Sequence, residues 1–577
     1  MNKTSILHKH NRLYLFILLL ILIAPSHLVM ADRPVTVDEP WWLISGSNYY
    51  YALTHRDFGN TLYDYHPAVT TTWMVASGMV AYFPEYRGFG QGYFDVRKPK
   101  FEEFLRENSK DALDLLRYSR WTQSAVIFIF AGVVFFLLQK LMDYRMAFLS
   151  VSLVMTAPFY LGHSRLLNHE GMLSVFVLVA LLGFHVYLEK GKNLVFLLIS
   201  GAAFGLAQLN KSTSIALLGV IGLMLLIELF KSDDKTFGVK FGGVVRIFAI
   251  WFSVAALVYF VLWPGMWVDP ARMLREVYGN AFSYAFQGAR LDATEELAPM
   301  EFSMVTRIDG ILLYLRYWVS GTTFITWLGM IFVAYFLFSK KKEQMPTVVR
   351  SLVGYLVLLG ILFIMMFGIA QGRNHAHYIM NSFVAFDVIA GIGWGSALLW
   401  AGNRWNGLVN TTVSVVALVV ITLVQIGFGL PYAPYYFTYK NPFAKEAATY
   451  GYGEGLSEAA DYLAQKPGAK DLTAYVYNGM GTFSYFFPGK TIVLKRANVL
   501  YGDFVTITEE LRSSDYLVLY PIVREKQPET EKIFGELEGV VEPEKVIYIN
   551  GLEYIQIYKV ADIPESVYEK LLAKNEP

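Results

Sequence analysis

Between residues 13 and 430 the chain alternates long apolar runs with short polar or charged ones. Eleven runs of spanning length stand out, at about 13–31, 121–142, 145–162, 170–188, 193–210, 212–230, 241–263, 317–338, 348–370, 378–401 and 408–430. A helix needs roughly 17–25 such residues to cross a bilayer. After Pro431 the pattern changes. Leu472–Asn478, Thr491–Lys495 and Tyr516–Tyr520 read as short buried strands, and Leu456–Gln465 and Glu529–Leu537 as helices. Val546–Ile549 and Leu552–Tyr558 flank Asn550-Gly551, the favoured two-residue hairpin turn. The pattern predicts an all-α polytopic membrane domain over residues 1–431, followed by a small α/β domain over 432–577.

Composition agrees with the membrane reading. Of 577 residues 55% are hydrophobic and 17% charged, against about 45–50% apolar and roughly 25% charged in soluble domains. Mean hydropathy is +0.38. Lys and Arg number 49 and Asp and Glu 48, so no basic field points to nucleic acid. With no Cys, a disulfide framework, a thiolate zinc site and a cysteine nucleophile are excluded. The cluster Gly451-Tyr452-Gly453-Glu454-Gly455 lacks a preceding strand and the dinucleotide spacing, so it does not indicate a cofactor fold.

Charge sets the orientation. Lys3, Lys9 and Arg12, then Lys140 and Arg145, Lys190 and Lys192, Lys231, Lys235 and Lys240, Lys340–Lys342 with Arg350, and Arg404 fall in every second connection. Positive short loops stay cytoplasmic. The N-terminus is therefore expected inside and the tail outside, in a multi-pass protein of the cell membrane. Val29-Met30-Ala31 before Asp32 offers a rival reading as a cleavage site. The long apolar run, Pro25 and His27 favour a retained span, and either way residues 32–120 and 264–316 lie outside.

Acidic and basic groups gather at the external ends of these runs. Asp38-Glu39 follows the first span, with Tyr65-His66-Pro67-Ala68-Val69-Thr70-Thr71 further along that loop. Ser164-Arg165 and His169-Glu170 separate the third and fourth spans, and Asn210-Lys211-Ser212 the fifth and sixth. Trp263-Pro264-Gly265-Met266-Trp267 leaves the seventh, and Arg373, His375, His377 and Tyr378 lead into the tenth. Charged groups at this depth are costly unless paired or functional, and external cations oppose the positive-inside trend. An anionic lipid phosphate would account for them.

In their order and sidedness these motifs resemble the GT-C superfamily of integral-membrane glycosyltransferases, over roughly residues 13–430. The branch they resemble is the protein O-mannosyltransferase and aminoarabinose-transferase-like enzymes that use polyprenyl-phosphate sugars. Two positions depart from it: His169-Glu170 stands where relatives commonly have an Asp, and His377-Tyr378 where many have Arg-Tyr. The resemblance implies transfer of a sugar, usually with inversion, from a polyprenyl-phosphate donor in the outer leaflet to an acceptor hydroxyl of unassigned identity. It implies Asp38 as general base, with Glu39 orienting the acceptor or a cation, and Glu170 as a second acid. Lys211 and Arg373 would grip the phosphate, with Arg165, His66, His377 and Tyr378 as further binding candidates and His169 a lesser one. No cofactor is required, and a divalent metal is left open. Asp387, two turns inside the tenth span, reads as a helix-packing partner.

Two other functions fit the membrane pattern. A transporter or flippase of a lipid-linked glycan would place charges in mid-span, whereas nearly all here lie at span ends. A sensor would leave the acidic and basic turns unexplained.

Overall fold

The structure, a computed structural model, describes residues 3–29, 32–231, 236–287, 304–339, 345–370, 374–405, 411–444 and 451–575. The chain forms two compact units, both built from separated stretches of sequence. One comprises Met1–Val29, Gly46–Gly90 and Ser119–Lys445; the other comprises Met30–Ser45, Gln91–Tyr118 and Glu446–Pro577. Lys340–Lys342, on which part of the orientation argument rests, and Arg373 lie outside the described residues.

The first unit is helical. Each apolar run expected from the sequence overlaps one helix or a bent pair of helices among the described residues. Seven are long and apolar enough to cross a membrane by length and composition: Ala112–Leu141, Glu170–Glu189, Ser212–Phe230, Phe237–Leu262, Thr347–Ile369, Ala376–Arg404 and Thr412–Tyr432. Two runs are bent pairs, which would raise that number to nine if each is one span. Tyr144–Thr156 turns by 63° into Pro158–Ser164, and Thr306–Gly321 by 105° into Phe324–Phe338. Leu13–Leu28 and Leu194–Asn210 are shorter apolar helices. The expected continuous run 317–338 is thus broken. Thr323 starts a new helix by accepting the Thr326 N–H on its hydroxyl, 3.3 Å away, which caps the second segment separately.

Polar groups and small residues fasten these helices. Asp387 is buried and accepts a 2.7 Å hydrogen bond from the Thr326 hydroxyl, so it is spent on helix packing. Along Met380–Arg404, a Cβ on Gly391 would lie 2.2 Å from the Ser150 nitrogen, and one on Gly395 2.5 Å from Met146 Cα. Two helices meet there backbone to backbone, the approach small residues permit in an apolar medium. Gly391→Leu is therefore expected to lower the melting temperature in detergent, by an overpacking cost of about 1–3 kcal/mol. An unaltered melt would show that the two helices do not pack this closely.

The second unit contains a five-stranded sheet. Its strands are β1 (Thr473–Tyr477), β2 (Lys490–Leu494), β3 (Tyr516–Leu519), β4 (Lys545–Ile549) and β5 (Leu552–Lys559), ordered β2-β1-β3-β5-β4. β1 runs parallel to β2 and β3, and β5 antiparallel to β3 and β4. β4 and β5 join through Asn550 and Gly551, whose φ of 51° and 79° are those of the twisted turn that suits a hairpin. Tyr475, Val518, Ile555 and Ile557 form the buried middle of the sheet, covered by Leu456, Ile507, Phe534 and Leu571 from flanking helices. The helices expected at Leu456–Gln465 and Glu529–Leu537 are found as Leu456–Ala464 and Glu531–Leu537, and the unit also has Phe504–Arg512 and Glu565–Leu572.

Candidate active site

Within the first unit, helix ends and tight turns bring Glu170, Lys211, His169, His66, His377 and Tyr378 together. Glu170 is the first residue of its helix, where an acid suits the positive end of the helix dipole. Its N–H is held by Asn168 Oδ1 at 3.0 Å. Lys211 stands where helix Leu194–Asn210 ends. Its backbone is extended (φ −154°, ψ 126°), its N–H returns to the Ala207 carbonyl, and its carbonyl accepts from the Ser214 hydroxyl at 2.9 Å. Gln208 donates to that hydroxyl at 2.7 Å and accepts from the Tyr278 hydroxyl at 2.8 Å, so the turn is braced from two sides.

The two charges meet. Lys211 Nζ donates to Glu170 Oε1 at 2.5 Å, with 1% and 3% of the two residues exposed. The same ammonium lies 4.8 Å from the centre of the Tyr378 ring, a cation–π distance. His169 Nε2 is 3.6 Å from Glu170 Oε1, and the His66 ring is 5.5 Å from the His169 ring. His377 packs 4.4 Å from Tyr378 and 5.5 Å from both His163 and His375. The segment carrying His66 is pinned: Ala68 N–H donates to the Asn210 carbonyl at 3.1 Å, and Tyr65 stacks on Tyr284 at 4.7 Å.

The Trp-Pro stretch holds this arrangement from behind. Trp263 is fully buried and its Nε1 donates to the Thr61 carbonyl at 3.2 Å, while Arg272 donates to the Gly59 carbonyl at 2.8 Å. Both tie down the chain just before Tyr65-His66.

An apolar cavity of about 310 Å³ reaches this cluster. Its lining runs from Phe282, Phe286, Phe367 and Ile369 to His66, Ser212, Thr213 and Tyr378. A second apolar cavity of about 520 Å³ shares Ile215 and Tyr278 with it. Beside the cluster, Thr70 Oγ1, Thr71 Oγ1, Asn210 Oδ1 and Nδ2, Ser212 Oγ and Thr213 Oγ1 are buried with no protein partner. Such groups cost free energy unless something hydrogen-bonds them. No group of three or more His, Asp or Glu among the described residues is placed to hold a metal ion.

Arg165 is turned elsewhere. It donates to the Val29 carbonyl at 2.5 Å and lies over the Tyr436 ring at 5.2 Å, so Glu170 takes Lys211 rather than Arg165 as its partner.

Asp38 and Glu39 belong to the second unit. Glu39 is fully buried and its Oε2 accepts from the Thr36 N–H at 2.9 Å and the Thr36 hydroxyl at 3.1 Å. Thr36 and Glu39 thus close a turn at the start of helix Glu39–Thr54, with the Glu39 N–H donating to the Thr36 carbonyl at 3.2 Å. Asp38 is exposed and its Oδ2 accepts from the Tyr452 hydroxyl at 2.5 Å.

Residues 116–256 match the dolichyl-phosphate-mannose-protein mannosyltransferase family, well under half of the chain. The resemblance read from the motifs is to the same class of enzyme. No curated protein matches the sequence significantly. Among solved structures, ArnT from Cupriavidus metallidurans in the apo state is similar at 13% identity and a TM-score of 0.49, over 96% of this chain and 99% of that one. The apo oligosaccharyltransferase of Archaeoglobus fulgidus is similar at 12% identity and 0.45, over 90% and 72%. The S. cerevisiae protein O-mannosyltransferase Pmt1-Pmt2 complex bound to the sugar donor is similar at 18% and 0.35, over 46% and 34%.

Proposed function

Taking the mannosyltransferase-family segment as premise, we propose that this chain is a membrane glycosyltransferase. It moves a sugar from a polyprenyl-phosphate donor to a hydroxyl on the extracytoplasmic side. The observation that carries the reading is the apolar cavity ending at Ser212, Thr213, His66 and Tyr378, beside the buried Lys211–Glu170 pair. An isoprenoid chain suits the apolar walls. A phosphate suits the buried cation and the partnerless hydroxyls of Ser212 and Thr213. Arg373 is proposed as a second phosphate contact, with His66, His377 and Tyr378 facing the sugar and Arg165 a more distant support.

In this reaction the acceptor oxygen forms a bond to the anomeric carbon as the bond from that carbon to the phosphate oxygen breaks. The bonding pair leaves with the lipid phosphate, and the hydroxyl proton passes to a carboxylate, which we assign to Asp38. Lys211 stabilises the charge growing on the leaving phosphate. Glu170 fixes the ammonium where that charge develops.

The test is to incubate the purified protein with a panel of polyprenyl-phosphate sugars and acceptor-bearing membranes, following both free lipid phosphate and transferred sugar. Release matched by transfer supports the reading. Donor that is bound and moved across a vesicle membrane with its sugar still attached would make the protein a transporter instead.

A further inference from the structure

The carboxylate assigned as base sits in a clasp made by the last part of the chain. Val37 N–H donates to the Tyr452 carbonyl at 3.2 Å, and the Tyr452 hydroxyl donates to Asp38 Oδ2 at 2.5 Å. One residue therefore holds both the backbone before Asp38 and its carboxylate. The loop supplying it is itself anchored. Glu454, fully buried, accepts from Tyr452 N–H at 2.6 Å and from the Tyr520 hydroxyl, which in turn accepts from Gly453 N–H at 3.0 Å.

Close packing leaves this clasp little freedom. Gly453 has φ +112°, and a Cβ there would lie 3.0 Å from the Val35 carbonyl oxygen. Gly481 has φ +72°, and a Cβ there would lie 2.1 Å from Pro40 Cγ. Both sites of contact flank Asp38. The Thr36 bonds to the Glu39 carboxylate and the Trp42 N–H donation to the Asp38 carbonyl, at 3.2 Å, fix the same turn from its own side.

We propose that Tyr452 is a positioning residue for Asp38: its phenol donates to the carboxylate and holds it in one rotamer. The inference rests on the assignment of Asp38 as base, and it gives the C-terminal segment a part in the reaction. A geometry fixed to within about 0.5 Å is what proton transfer in a transition state requires.

Tyr452→Phe removes the donor and keeps the ring. Turnover per folded molecule is expected to fall by about ten- to a hundredfold, the loss of one hydrogen bond to a charged group, with the donor KM within about twofold of wild type. The readout is lipid phosphate released from whichever donor of the panel is used. In an Asp38→Asn background the same substitution should cost nothing further, because the carboxylate it serves has gone. Wild-type turnover in Tyr452→Phe, while Asp38→Asn is inactive, would overturn this inference alone. A lowered melting temperature with unchanged turnover per folded molecule would also overturn it, leaving Tyr452 a structural contact. An Asp38→Asn protein with normal turnover would overturn the base assignment, and this inference with it.

Discussion

Asp38→Asn is expected to reduce sugar transfer by about 10²–10⁴, the usual worth of a general base, while donor binding survives. The amide keeps the shape and still accepts from the Tyr452 hydroxyl, so the turn built by Thr36 and Glu39 should persist. Turnover would then report proton acceptance alone. Glu39→Gln is a different perturbation. Its carboxylate is occupied by the Thr36 N–H and hydroxyl, so the change should cost about 1 kcal/mol of stability through weakened hydrogen bonds to a buried acceptor, with a smaller effect on turnover. If Asp38→Asn turns over normally while Glu170→Gln is inactive, the base is Glu170. If all three variants remain active, none of the three carboxylates carries the chemistry.

The second large effect concerns Lys211 and Glu170. Breaking a buried ion pair by removing one partner costs about 3–5 kcal/mol, because a charge is left without compensation. Glu170→Gln strands an ammonium and Lys211→Ala strands a carboxylate, so each single variant should be less stable than the wild type. Both should lose about ten- to a hundredfold in kcat/KM for the donor, as a charge-assisted phosphate contact is lost or misplaced. The double variant Glu170→Gln with Lys211→Met separates the two roles. It is expected to regain much of the melting temperature and none of the activity. Recovery of turnover in that variant would make the pair a packing element and put the phosphate elsewhere.

What the sequence disclosed depended on the range of the interaction. Apolar runs and Asn550-Gly551 declare themselves locally, because a span needs length and a hairpin turn needs φ > 0. Span ends were legible for the same reason, which is why Glu170, Lys211, His377 and Tyr378 could be singled out at the ends of apolar runs, and His66 in a loop between them. The Lys211–Glu170 contact joins residues 41 positions apart and had no local signal. The break at Thr322-Thr323 hid inside a continuous apolar pattern, since hydropathy does not register a cap. Tyr452 and the partnerless hydroxyls of Ser212 and Thr213 are ordinary residues by type, and only their surroundings mark them.

The discontinuous second unit also sets a timetable for biosynthesis. Arg33 pairs with Asp461, 428 positions later, at 2.5 and 3.0 Å, and Glu102 accepts from the Ser484 hydroxyl, 382 positions later, at 2.8 Å. At about 5–20 residues per second, Arg33 waits roughly 20–90 s for its partner to be synthesised. During that interval the Asp38 turn has its own Thr36–Glu39 bonds and none of the clasp. A nascent chain that stalls before Tyr452 would therefore stop with the Asp38 carboxylate lacking its phenol donor, so that this turn is completed only once the chain has grown past residue 452.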